Sequence, residues 1–226
     1  MLISKFFRRL RERPCTLASF GLLLLLPSLP AASEPTATYS GLRRLASAAA
    51  DTALQYVGQC ETRGYNRSKF IDKVNRIAGA PLGSSWCMSS AYFSFHAAAA
   101  ALGLQNPLLR TASVSAQVRY AAQVGSGLKV IRLQGVVGVQ RVAVFKGDLL
   151  CAKRGGGASA DIGRLWPGHV ELALADYGGT VRTVGGNTSS GGRGSQRDGD
   201  GQWIRQRRKN WFLVVIRVDS GKRGGA

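Results

Sequence analysis

Apolar residues recur at helical spacing in four places in the first half of the chain. Leu42, Leu45, Ala46, Ala49, Ala53, Tyr56 and Val57 predict a helix over 42–57. Phe70, Ile71, Val74, Ile77 and Ala78 predict a second, stopped by Gly79, and Met88, Ala91, Tyr92, Phe95, Ala98, Ala99 and Leu102 a third, ended by Gly103. A shorter helix starts at Ser113 and carries Val114, Val118, Ala121 and Ala122. Beyond Gly125 the pattern changes to β-branched residues broken by glycines, which predicts strands near 129–133, 142–145, 149–153, 169–175, 180–185, 203–208 and 212–218. Helices first and strands afterwards predict an α+β fold, with N-terminal helices packed on a largely antiparallel sheet. The Gly-rich stretches 155–163 and 185–201 read as connecting loops.

The first 33 residues stand apart from this pattern. Lys5, Arg8, Arg9, Arg11 and Arg13 precede a short apolar run from Leu17 to Leu26, and then come Pro27, Pro30 and the small residues Ala31, Ala32 and Ser33. That order reads as a secretory signal, too short in its apolar part for a stable membrane span, with an uncleaved anchor as the alternative. Residues 34–226 are then expected to form a single exported domain, periplasmic or secreted.

Composition narrows the chemistry. The chain of 226 residues is 45 % hydrophobic, too apolar for a disordered protein. Its formal charge is +19, and removing the signal takes away only five positive charges and one negative. An exported protein that basic favours an anionic partner, such as a cell-wall polymer, lipid head groups or shed nucleic acid. Two histidines leave little for a metal cluster, so neither metal nor cofactor is expected. Of the four cysteines, Cys15 leaves with the signal, and if Cys87 stays free, Cys60 and Cys151 are the pair available for a disulfide.

Candidate chemistry centres on Cys87. With Ser84 or Ser85 as N-cap, its thiol lies in the first turn of the third helix, where the helix dipole and unpaired N–H groups favour the thiolate. His169 opens a strand within Trp166-Pro167-Gly168-His169-Val170, and Asn187 follows in Val184-Gly185-Gly186-Asn187-Thr188. Asp176-Tyr177-Gly178-Gly179 between them is a turn signal, so the two strands should form a hairpin. A loop of two or four residues pairs His169 with Gly186, whereas one of three or five centred on Gly178 pairs it with Asn187. In the second register a thiolate could attack a carbonyl, the imidazole shuttle the proton and the carboxamide hold the imidazole. Glu171 should share a face with His169, where it would raise the imidazole pKa or bind a cationic part of a substrate.

These residues resemble the CHAP domains (cysteine, histidine-dependent amidohydrolases/peptidases), which have a papain-like fold. The resemblance runs from about Glu61 to Val215. It is carried by Glu61 with Gly64-Tyr65-Asn66-Arg67, by Ser85-Trp86-Cys87, and by Arg110-Thr111-Ala112-Ser113-Val114. Gly147-Asp148-Leu149, Gly168-His169-Val170 and Gly185-Gly186-Asn187-Thr188 complete it. It implies cleavage of amide bonds in peptidoglycan stem peptides through a thioester, with Cys87 as nucleophile, His169 as base and Asn187 as the orienting group. Glu61, Asn66, Ser85, Trp86, Trp166, Glu171 and Gly186 are then expected about the substrate. The chain departs from its relatives at Glu171, where many have glycine, at Gly186, where many have glutamate, and at Lys146 before Gly147-Asp148. A longer insertion spans 124–145.

Other features suggest less. Trp86, Trp166, Trp203 and Trp211 could line a groove or serve the core, His96 reads as a core or surface residue, and Arg205, Arg207, Arg208 and Lys209 read as a solvated basic face. A second function class remains: a catalytically inactive module of the same fold that holds anionic wall polymer or nucleic acid by charge.

Overall fold

The computed structural model describes residues 39–62, 65–154, 166, 168–190 and 199–218. The expected signal over 1–33, the loop at 155–163 and positions 191–198 of the stretch 185–201 lie outside the described residues; residues 185–188, expected as loop, continue a strand instead. Four helices come first: α1 (Tyr39–Leu54), α2 (Lys69–Ala78), α3 (Cys87–Leu102) and α4 (Val114–Ala121). The helix boundaries follow local signals. Ser68 accepts from the Ile71 N–H and Ser113 from the Ala116 N–H, while Gly79 and Gly103 close α2 and α3 in the left-handed conformation.

The strands β1 (Leu128–Arg132), β2 (Leu149–Lys153), β3 (Gly168–Asp176), β4 (Thr180–Thr188), β5 (Gly201–Arg208) and β6 (Val214–Val218) form one sheet in the order β1-β6-β2-β3-β4-β5. Every pairing is antiparallel, so the fold is α+β as expected. One face of the sheet carries Leu149, Cys151, Val170, Leu172, Val184, Val214 and Ile216 and packs against Leu45, Ala46 and Ala49 of α1 and Met88, Tyr92 and Phe95 of α3. Each large apolar side chain buried there contributes about 1.5–3 kcal/mol. The alanine stripe of α1 keeps that helix close to α3, because small side chains leave the backbones free to approach.

The opposite face buries Leu150, Ala152, Ala173, Val181 and Val215 under Leu133, Val144 and Phe212. Here the insertion 124–145 finds its place: it supplies the edge strand β1 and then folds over this second face. The strand expected at 142–145 does not form. Its backbone groups are taken by side chains instead, with Val144 N donating to Asp176, Phe145 N to Asp148, and the buried Lys209 ammonium donating to the Val142 carbonyl at 2.7 Å. Lys209 is therefore a core residue paired with Asp176, a correction to the solvated face expected for it. Asp148, fully buried, holds Arg43 of α1 and Arg217 of β6 together.

The hairpin of β3 and β4 sets the position of the site. Tyr177 N donates to Thr180 O across a two-residue Gly178-Gly179 turn, which by itself would set His169 level with Thr188 and not with Gly186. A bulge between Ala173 and Ala175 then shifts the pairing by one, so that Leu172 lies opposite Val184. The turn and the bulge together produce the register that a longer loop would have given.

Candidate active site

Cys87 is the first residue of α3, which packs on the face of the sheet formed by β3 and β4. The N-cap is Trp86 and has no side-chain hydrogen bond, which corrects the expected serine cap. Ser84 instead gives its carbonyl to Asn75, and Ser85 is exposed. The first-turn N–H groups of α3 are thus left without a side-chain partner at the cap. Trp86 is fully buried, with Phe70 edge-on to its ring and its indole N–H on Glu61, and Glu61 also accepts from Asn66 N. Asn66 donates in turn to the Gly83 carbonyl. Glu61, Asn66 and Trp86 therefore brace the loop before α3 from within, and Trp86 cannot line a substrate groove. Trp166 is also buried, against the core.

The Cys87 thiol and the His169 imidazole are near enough to act on each other's proton, and both are almost fully buried. The sulfur also lies 3.9 Å from the Gly168 carbonyl. Burial alone would push the Cys87 thiol up. The hydrogen bond and charge of His169, with Arg154 and the Val170 amide, outweigh it and hold the thiol below its usual range. His169 moves the other way: burial would lower it, but contacts with Cys87 and Glu171 raise its pKa.

Glu171 holds the imidazole. His169 Nε2 lies 3.1 Å from Glu171 Oε1 and 3.2 Å from the Thr188 hydroxyl, while Nδ1 faces the Arg154 guanidinium at 2.9 Å. A guanidinium can only donate, so Nδ1 is the accepting nitrogen and Nε2 carries the proton given to Glu171. The Glu171 carboxylate is buried and also accepts from Thr183 and from Arg207 at 2.8 Å. Burial would raise its pKa, but His169 and Arg207 prevail and bring it down to about 2. Glu171 is therefore an anion sealed beneath the imidazole, not a substrate contact.

Asn187 does not take the role expected for it. Continued beyond Leu172 and Val184, the hairpin register would set it level with His169. Its backbone, however, is in the left-handed region at φ 52° and the β4–β5 pairing is irregular between Gly185 and Thr188. The side-chain alternation breaks there, so Thr188 reaches Nε2 while the Asn187 amide has no hydrogen-bond partner among the described residues. Its main-chain carbonyl accepts from Arg154. Gly186 has no room for a side chain: a Cβ would fall 2.5 Å from the Trp86 ring and 2.8 Å from Ser90. A carboxylate at that position is sterically excluded, and Glu171 supplies one from the neighbouring strand.

Several members of this site carry no sequence motif. Arg207 was expected on a solvated face, yet it pairs with Glu171 from two strands away and stacks on Trp211 at 4.6 Å. Trp211, 38 % exposed, lies 6.1 Å from the His169 ring. His96 is exposed and stacks on Tyr92. Cys60, Cys87 and Cys151 are all free. Cys151 on β2 and Cys60 on the outer edge of β5 are separated by β3, β4 and β5, four strand spacings or about 19 Å, too far for a disulfide. Among the described residues no group of His, Cys, Asp or Glu could hold a metal ion, and no helix is long and apolar enough to cross a membrane.

No protein-family model matches the chain, and no curated protein matches it. Among solved structures it is similar to the wild-type endolysin LysIME-EF1, at 16 % identity and a TM-score of 0.45. The likeness covers 77 % of this chain and 64 % of the endolysin, so the chain spans less than two thirds of that protein.

Proposed function

We propose that this chain is an exported cysteine amidohydrolase or endopeptidase that cleaves amide bonds in peptidoglycan stem peptides. The observation that carries the chemistry is the buried contact between Cys87, at the open start of α3, and an imidazole backed by the Glu171 anion. The substrate class rests on the order of motifs from Glu61 to Thr188 that resembles the CHAP domains, with Glu171 in place of Asn187 as the positioning group.

In this reading Nδ1 of His169 takes the thiol proton, and Arg154 gives up its bond to that nitrogen as the proton arrives. The imidazolium is stabilised by Glu171, and the thiolate by the start of the helix. Sulfur attacks the amide carbonyl carbon, and first-turn N–H groups of α3 receive the oxyanion. His169 then gives the proton to the departing amine. The resulting thioester is cleaved by a water that His169 deprotonates, releasing the acid and restoring the thiol.

Purified sacculi treated with the parent should release muropeptides, and Cys87→Ala, folded by circular dichroism, should release none. If the variant digests sacculi as well as the parent does, the proposal fails.

A further inference from the structure

A groove of about 420 Å³ is lined by Gln206, Arg207, Arg208, Asn210 and Trp211, the last of which lies against the His169 side of the site. Its shape comes from a tight connection. β5 ends at Arg208, and Lys209–Trp211 form one 3₁₀ turn into β6. The buried Lys209 pins this turn to Asp176 and the Val142 carbonyl. Phe212, next in sequence, is fully buried and meets the Trp211 ring edge-on at 4.8 Å. Trp211 is thereby held at the surface on a fixed support, stacked against Arg207, with His169 close behind it.

The charges in the groove differ. Arg207 is neutralised by Glu171. Arg208 is exposed and, among the described residues, has no ion-pair partner. Gln206 and Asn210, both exposed, add neutral hydrogen-bonding groups. One unmatched guanidinium beside a rigid indole suits a single planar anion on a compact body, and a guanidinium fork matches a carboxylate in two hydrogen bonds. A polyanion would be met by a row of free cations, whereas here the partner of Arg207 is already inside the protein. With the Trp211 ring 6.1 Å from that of His169, an occupant stacked on the indole lies one side chain from the imidazole.

We propose that this groove is a subsite for a free carboxylate of the peptide being cleaved, with Arg208 binding the carboxylate and Trp211 carrying the peptide body. The substrate assignment rests on the hydrolase reading above, and the subsite makes the enzyme selective for acidic over amidated peptides.

The test compares a synthetic stem tetrapeptide ending in a free carboxylate with the same peptide capped as its carboxamide. Hydrolysis is measured for the parent, Arg208→Gln and Trp211→Ala, and equilibrium binding for Cys87→Ala with and without Arg208→Gln. The parent should show a KM about tenfold lower for the carboxylate peptide. Arg208→Gln should bring that ratio to about one, and Trp211→Ala should weaken both peptides together. A parent with no preference, or an Arg208→Gln variant that retains it, overturns the subsite, as does equal competition by polyphosphate that vanishes with salt. If Cys87→Ala binds the carboxylate peptide preferentially through Arg208 while the parent cleaves neither peptide, the subsite stands and the hydrolase reading falls.

Discussion

Replacing Glu171 with Gln keeps the shape of the site and removes its buried charge. In the parent, one carboxylate serves His169 at 3.1 Å, Arg207 at 2.8 Å and the Thr183 hydroxyl. A hydrogen bond to a charged group is worth about 1.5–3 kcal/mol, so losing its preference for the imidazolium should lower kcat/KM by about 10- to 100-fold. The direction of the pH effect follows from the charges. Glu171 raises the His169 pKa, so its loss makes the imidazolium give up its proton at lower pH, and the alkaline limb of the profile moves down. With less imidazolium beside it, the Cys87 thiol is held down less, and the acid limb moves up. The profile should therefore narrow from both sides when turbidity loss of sacculi is followed against pH. The variant also leaves Arg207, whose side chain is 14 % exposed, facing a neutral amide, at a cost of about 3 kcal/mol. Adding Arg207→Gln removes that orphaned charge and should recover much of the Tm without recovering the profile. If Glu171→Gln keeps the parent's pH profile, or if the double variant regains profile and Tm together, Glu171 is only a structural support and the positioning argument is wrong.

Three further outcomes follow from the same geometry. Gly186→Ala forces a methyl against Trp86 and Ser90 and should cost about 1–3 kcal/mol, read as a lower Tm by circular dichroism; an unchanged Tm would mean that the loop has slack not evident here. Alkylation with iodoacetamide followed by peptide mass spectrometry should modify Cys87 at the lowest pH. Burial raises the thiol pKa of both Cys60 and Cys151, whereas His169 lowers that of Cys87, so faster labelling of Cys60 near pH 6 would contradict the assignment. The depressed Glu171 carboxyl contributes stability that is complete above its ordinary value of 4.5 and is lost as pH falls towards about 2. Acid unfolding monitored by tryptophan fluorescence should therefore be shallower between pH 5 and 2 in Glu171→Gln than in the parent.

Much of the fold could be read locally. The spacing of Leu45, Ala46 and Ala49, the helix start at Ser113, and the glycine stops at Gly79 and Gly103 depend on neighbours a few residues away, and the structure keeps them. The expected strand over 142–145 failed because its β-branched residues carry the propensity for a ladder but have no strand beside them. Asp176 and Lys209, both distant in sequence, and Asp148, three residues on from Phe145, bind that backbone first. Trp86 and Trp166 gave no sign of which side of the sheet they would face, since an indole suits a core and a groove alike.

Local pattern along the chain was enough to set the kinds of element, their order, and the two reactive side chains at element starts: a thiol opening a helix and an imidazole opening a strand. Tertiary structure decided which third group meets the imidazole. The bulge between Ala173 and Ala175 sets Asn187 level with His169, but the left-handed backbone of Asn187 takes its carboxamide away and leaves the imidazole to the Glu171 carboxylate. The pairing of β4 with β5 then brings Arg207 to that carboxylate. Side chains alternate across a sheet every residue, so one inserted position reverses every contact beyond it, and no local pattern in the chain records where that insertion falls.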